Sequence, residues 1–294
     1  MADSCGRITY GYVDPNFARP NTDDSACIII YGYVPSLAVG LLGVILFVVA
    51  LGFHLFLLLR HRTWYFSTVV VGLVMEIIGY LFRILASKKN PYAVSYFVAQ
   101  YFCIVVAPVF FSAAIYTIIS VMINITGRKY APISPKVLLW IFIVCDAVAT
   151  GVQIAGAALV GRAYSDQKDP TTPNNILLAG LAFQVFSFAV FILCFVLFTY
   201  KARKVLDKEL KMFAVAVLVA SLAVYLRTIF RLAETAEGLL EYLSTHEVFF
   251  GCLEFLPIVV AVYVLIYWHP GRWLGKGRTP TTIQDDIATG TRQK

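Results

Sequence analysis

Between Met75 and Leu85 an apolar run carries two ionisable side chains, Glu76 and Arg83, seven residues apart. On a helix a seven-residue step returns to nearly the same direction, with about 20° of drift. Glu76 and Arg83 therefore share a face, and Gly79 and Tyr80 fall between them. The same spacing recurs in three other apolar runs: Asp146 with Gln153, Arg227 with Glu234, and Glu247 with Glu254. Carboxylates, guanidinium groups and amides in this pattern suit ion pairing, proton carriage or the grip of a polar headgroup. An ionisable residue inside a membrane helix is by default a functional hypothesis.

The elements that must position these residues are membrane spans. The chain has 294 residues, of which 60% are hydrophobic and 14% charged. A soluble domain carries roughly 25% charged residues. Seven apolar runs are each longer than the roughly 20 residues needed to cross a bilayer. They cover about 30–59, 64–86, 96–125, 137–160, 176–200, 212–232 and 248–268. The sequence thus predicts an all-α membrane protein, a seven-transmembrane helix bundle. Residues 1–29 form a polar tail, 30–268 the transmembrane domain and 269–294 a basic tail. The first 25 residues hold no apolar core of the kind a cleavable signal needs. Pro108 falls inside the third run and cannot donate to the carbonyl of Ile104, so a kink is expected there.

The net charge of +7 does not indicate nucleic acid, because the basic residues lie in loops between spans. Fifteen Lys and Arg fall in the 60–63, 126–136 and 201–211 segments and after residue 269; only six fall in the N-terminal tail and the other three loops. The positive-inside rule then predicts an external N-terminus and a cytoplasmic C-terminus. The sequon Asn124-Ile-Thr lies on the cytoplasmic side in this topology and stays unmodified. Cys5 and Cys27 flank the N-terminal tail and can form a disulfide if that tail is external.

At about 1.5 Å per residue, nearly every polar group in the spans lies between the midplane and the outer surface. The set is Glu76, Tyr80, Arg83, Gln100, Asp146, Gln153, Gln184, Arg227, Arg231, Glu234, Glu247 and Glu254, and we read it as a substrate-binding interior. Six of its charges are deep: Glu76, Arg83, Asp146, Arg227, Arg231 and Glu254. Exposing all six to lipid would cost roughly 15–20 kcal/mol, more than the roughly 5–15 kcal/mol stability of a typical protein. Three Arg balance three carboxylates, so they pair with one another or face water or a ligand. Structural ties between helices are the competing reading. Tyr101, Tyr116 and Tyr225 either line the same space or pack the core.

In order along the chain stand Tyr31-Gly-Tyr-Val-Pro-Ser, His54, Arg62-Thr-Trp, Glu76-Ile-Ile-Gly-Tyr with Arg83, and Ala107-Pro-Val-Phe-Phe-Ser-Ala-Ala-Ile-Tyr. They are followed by Asp146, Gln153 and Gly156, Gly180-Leu-Ala-Phe-Gln, Arg227 with Arg231 and Glu234, Gly238, His246-Glu, and His269-Pro-Gly-Arg. With these pieces the chain resembles the fungal Rta-like family of lipid-translocating exporters, named for resistance to aminocholesterol. The resemblance spans about residues 27–274. It implies a multi-pass protein of the plasma membrane or an internal membrane, linked to export of sphingoid long-chain bases and to tolerance of toxic lipophilic compounds. Family members commonly carry Asp where this chain has Glu254, which keeps the charge.

The expected partners are membrane lipids or lipophilic small molecules, with no nucleic acid, cofactor or metal. Gly275-Lys276 lacks the glycine spacing of a phosphate-binding loop, so this chain does not hydrolyse ATP by that route. A receptor or sensor of lipids has the same general layout and is the alternative. A zinc hydrolase would need converging His and carboxylate ligands. His54, His61 and His269 lie on the cytoplasmic side with no His-x-x-x-His pair and no carboxylate beside them.

Overall fold

The computed structural model describes residues 12–17, 26–165, 169, 171–238 and 241–274. Cys5, the Asp23–Asp24 pair and the basic tail after Leu274 lie outside the described residues. The described chain is a bundle of seven helices long and apolar enough to cross a membrane. They are α1 (Leu37–His61), α2 (Thr68–Lys88), α3 (Val94–Thr126), α4 (Pro135–Ser165), α5 (Thr171–Ala202), α6 (Lys208–Glu237) and a segmented seventh span within Glu247–Trp273. Without water to satisfy backbone groups, a helix is the form such apolar runs must take.

Consecutive helices pack as neighbours, and the seventh span closes the ring against both α6 and α1. α3 also reaches across to α6 and is the most enclosed helix. Small residues set the closest approaches. A side chain at Gly43 of α1 would overlap the ring of Tyr80, and one at Gly79 would fall 2.7 Å from Ile104 of α3. At Gly156 of α4 a Cβ would lie 2.6 Å from the backbone nitrogen of Leu177 on α5. Such contacts let helix backbones approach where lipid offers no hydrophobic drive to pack.

Two local departures from the expected spans matter for the site. α1 begins at Leu37, after an extended Ser36, and not near residue 30. Tyr31–Pro35 instead fold across one end of the bundle. Gly32 takes φ +71°, and its bare Cα faces the Thr245 side chain. Ile29 and Tyr31 are buried there with Ala86 and Tyr92. No charge interrupts the sequence between Ile28 and Leu37, but the left-handed glycine and Pro35 delay the start of the helix.

The seventh span is the second departure. It opens with a turn at Glu247–Phe249, widens into a π-helix at Phe250–Phe255 and continues as an α-helix at Leu256–Tyr267. Pro257 stands just after the widened turn. Its ring would press on the carbonyl four residues earlier, and the wider turn relieves that clash. Glu254 sits inside the π-helix and points into the bundle, 1% exposed.

Candidate functional site

Arg83, Arg227 and Arg231 are all buried, and each has a carboxylate. The pairing differs from the balance the sequence suggested. Arg83 does not turn toward Glu76 on its own helix. Its guanidinium reaches Glu247 at 2.5 Å, donates to the Tyr33 hydroxyl at 3.0 Å and lies 4.0 Å over the Phe250 ring. The same Glu247 oxygen accepts the backbone N–H of Ser36 at 2.9 Å. This knot joins α2, the segment before α1 and the start of the seventh span. Tyr31 adds a second tie, donating to Gln100 of α3 at 2.7 Å. Burial holds the Tyr31 phenol well above its usual range, so it remains a donor.

Deeper in the bundle Arg227 of α6 makes two strong contacts. It pairs with Glu254 at 2.6 Å and donates to the carbonyl of Ile104 at 2.5 Å. That carbonyl is the one Pro108 leaves without its helical donor, so Pro108 frees an acceptor in α3 for a buried cation. Arg231, one turn on, pairs with Glu234 at 2.7 Å, lies 3.9 Å from the second oxygen of Glu254 and stacks 4.7 Å over the Tyr101 ring.

The three Arg are therefore matched by Glu247, Glu254 and Glu234. Glu76 and Asp146 are left without an ion-pair partner among the described residues. Glu76 is 2% exposed, and its Oε1 is buried with no hydrogen-bond partner. It lies close enough to Arg227 and Glu254 for their charges to act on it. Asp146 stands apart from this cluster. One oxygen accepts from the Tyr116 hydroxyl at 2.7 Å, and the other is buried without a partner.

Gln153 of α4 donates to Gln184 of α5 at 2.8 Å. Together with Val105, Leu181, Thr228, Arg227 and Arg231 they line a cavity of about 10 Å³, room for about one water. The Nε of Arg227 is buried there without a partner. The polar residues thus meet, but the space among them is water-sized, and a lipid headgroup would enter only if the walls parted.

Tyr80 takes a packing position, its ring among those of Phe47, Phe250 and Phe255. Tyr225 stacks on Phe188. His54 Nε2 donates to the Val262 carbonyl at 3.1 Å, which fixes the imidazole N–H on that nitrogen. Among the described residues no group of three or more His, Cys, Asp or Glu is arranged to hold a metal. Sequence reasoning missed Tyr33, the Ser36 backbone and the π-helix. A signal for the last was present in Pro257, ten residues after Glu247 and inside an apolar run.

Comparison with known proteins places these residues in a family. No solved structure matches the chain. Among curated proteins, the sphingoid long-chain base transporter RSB1 of Saccharomyces cerevisiae (strain ATCC 204508 / S288c) is 28% identical over 287 residues, 84% of this chain and 75% of that protein. The protoporphyrin uptake protein 1 of the same strain is 27% identical over 211 residues, 69% of this chain and 67% of that one. Protein RTM1 of Saccharomyces cerevisiae is 26% identical over 208 residues, 68% and 66% respectively. The family model described as RTA1-like protein matches residues 69–277. That range runs from the first turn of α2 through the seventh span and takes in all three buried Arg and every carboxylate described above, so the chain belongs to the RTA1-like protein family.

Proposed function

We propose that the protein translocates amphiphiles with a cationic headgroup, sphingoid long-chain bases above all, from the inner toward the outer side of a membrane. The observation that carries this reading is the carboxylate of Glu76. It is buried beside an ion-pair cluster whose Arg are already engaged, so a protonated amine is the partner it lacks. The amides of Gln153 and Gln184 offer both donors and acceptors to the hydroxyls such a headgroup carries. Similarity to a sphingoid long-chain base transporter supports the choice of cargo.

In this reading the protein is not an enzyme. Its N-terminus is outside, its C-terminus is cytoplasmic, and the plasma membrane is its home. The positive-inside count supports the orientation. So does Cys27, which is disulfide-bonded, a state that persists in oxidising compartments. Substrate entry requires the water-sized cavity to open between α3–α6 and α4–α5.

Glu76→Gln keeps the shape and removes the charge. In cells loaded with a labelled sphingoid base, this variant is expected to lose efflux while its abundance in the membrane stays at the wild-type level. Wild-type efflux from Glu76→Gln would overturn the reading. A lipid sensor is the competing reading, and the closed interior favours it. Lipid bound by the purified protein but never moved would select it.

A further inference from the structure

Asp146 lies in the middle of α4, in the Pro135–Val160 span. It is 1% exposed, and its Oδ1 is buried with no partner. From α3, the Tyr116 hydroxyl faces it at 2.7 Å. The Tyr116 ring is itself enclosed by Phe142 of α4 and by Phe188 and Phe191 of α5. The titratable groups near this pair are Tyr116 and, on α4 itself, Cys145. No Arg, Lys or second carboxylate acts on Asp146 from α3, α4 or α5 among the described residues. This is where it differs from every other buried charge in the bundle. Arg83, Arg227, Arg231 and Glu254 have ion-pair partners, and Glu76 has the charge of Arg227 nearby.

An ionised carboxylate needs acceptor-side satisfaction at both oxygens or a cation close by. Asp146 has one hydroxyl and an aromatic wall. We propose that Asp146 is a proton-binding site, occupied as the neutral acid when the bundle is closed, and that its proton is exchanged for the cationic lipid during export. The proposal rests on the translocator reading for its cargo.

The coupling follows from position. Gln153, which lines the cavity, is seven residues along α4 from Asp146, about 10 Å of helix. With the acid protonated, the Tyr116–Asp146 bond holds α3 against α4 and the cavity stays closed. When the carboxyl O–H bond breaks and the proton passes to cytoplasmic water, the charge left on Asp146 favours the state in which water reaches it. That state is the one with α3 and α4 parted. The amine cation enters, leaves on the outer side, and Asp146 takes a proton from the outer solution as the helices close. One proton moves inward for each amine cation outward, so the exchange carries no net charge. A ligand shifts such an equilibrium only by its differential affinity for the two states, and a proton that binds the closed state alone meets that requirement.

The test uses the full-length purified protein in liposomes and has two arms. The first is the infrared C=O stretch of protonated carboxyl groups at neutral pH. The wild-type spectrum is expected to contain a band that Asp146→Asn removes. Tyr116→Phe is expected to keep that band and move it to higher frequency, because the carbonyl loses its hydrogen bond. A spectrum unchanged by both substitutions overturns the proton site. The second arm follows a chain-labelled sphingoid base under a pH difference of one unit, with protein-free liposomes as baseline. Wild type is expected to drive lipid toward the acidic side with a limiting ratio of about tenfold. Asp146→Asn, which cannot take up the charge that opens the bundle, is expected to move lipid no faster than the protein-free baseline, with or without the gradient. Gradient response retained in Asp146→Asn, or absent from a wild type that does move lipid, overturns the coupling. If wild type moves no lipid at all, the translocator reading and the coupling fail together, and the infrared arm alone decides whether Asp146 holds a proton.

Discussion

The contact between Arg227 and Glu254 shows how much depends on single residues in a dry interior. Both side chains are buried, and the Arg also serves the carbonyl freed by Pro108. Removing one member leaves a charge with no water to take it, which costs about 3–5 kcal/mol in buried pairs. Arg227→Met is therefore expected to destabilise the protein by about that amount, measured as a lower unfolding temperature in detergent. The double variant Arg227→Met with Glu254→Met removes both charges and is expected to recover much of the loss. If the double variant unfolds as early as the single one, the cost comes from the orphaned Ile104 carbonyl and not from the charge. At this scale the sequence reveals which residues are polar and how deep they lie, but not who pairs with whom. Glu76 and Arg83 share a face by spacing, yet Arg83 pairs with Glu247 because the seventh span and the segment before α1 bring a carboxylate and a phenol to its end of α2. A seven-residue period carries no information about a helix that returns more than a hundred and sixty residues later.

At the scale of the element, the spans were legible because an apolar run of membrane length has one solution, the helix. Their ends were less so. Tyr31–Pro35 follows directly on the apolar Ile28–Ile30 with no charge before α1, and only the tertiary contacts of Gly32 and Tyr31 show that it caps the bundle. The widening of the seventh span at Phe250–Phe255 was hidden for another reason. It follows from backbone crowding at Pro257, which a hydropathy reading does not weigh. Packing between elements is the most testable consequence. The Cβ of any residue at Gly156 would meet the backbone of Leu177, which cannot rotate aside as a side chain can. Gly156→Val is expected to push α4 from α5, break the Gln153–Gln184 bond and cost about 1–3 kcal/mol or more. Its folded yield in detergent should fall below that of Gly151→Val, because Gly151 on the same helix faces open space. Equal yields would mean that the α4–α5 approach is not held by Gly156.

At the scale of the whole molecule, the ties and the loose ends segregate. The ion-pair knots at Arg83 and Arg231 sit toward the end of the bundle capped by Tyr31–Pro35. The Arg227 pair lies deeper, and the two carboxylates with no Arg stand one on each side of α3. The heavily basic loops lie at the opposite end, together with the His54–His269 contact. The translocator proposed above would use this polarity as a braced outer end, a cytoplasmic end held by the negative inner leaflet, and uncommitted carboxylates in between. The orientation is accordingly the premise on which direction of transport depends, and one residue tests it. Asn124 is exposed in the last turn of α3 in a complete sequon, so a glycan on it would require that end of the bundle to face outside. In the native host, glycosidase treatment is expected to leave the protein's migration unchanged, and an acceptor sequon engineered beside Asp169, in the loop between α4 and α5, is expected to be modified. Glycan on Asn124 together with none beside Asp169 would invert the bundle, and the same cavity would then open toward the cytoplasm and import its cargo.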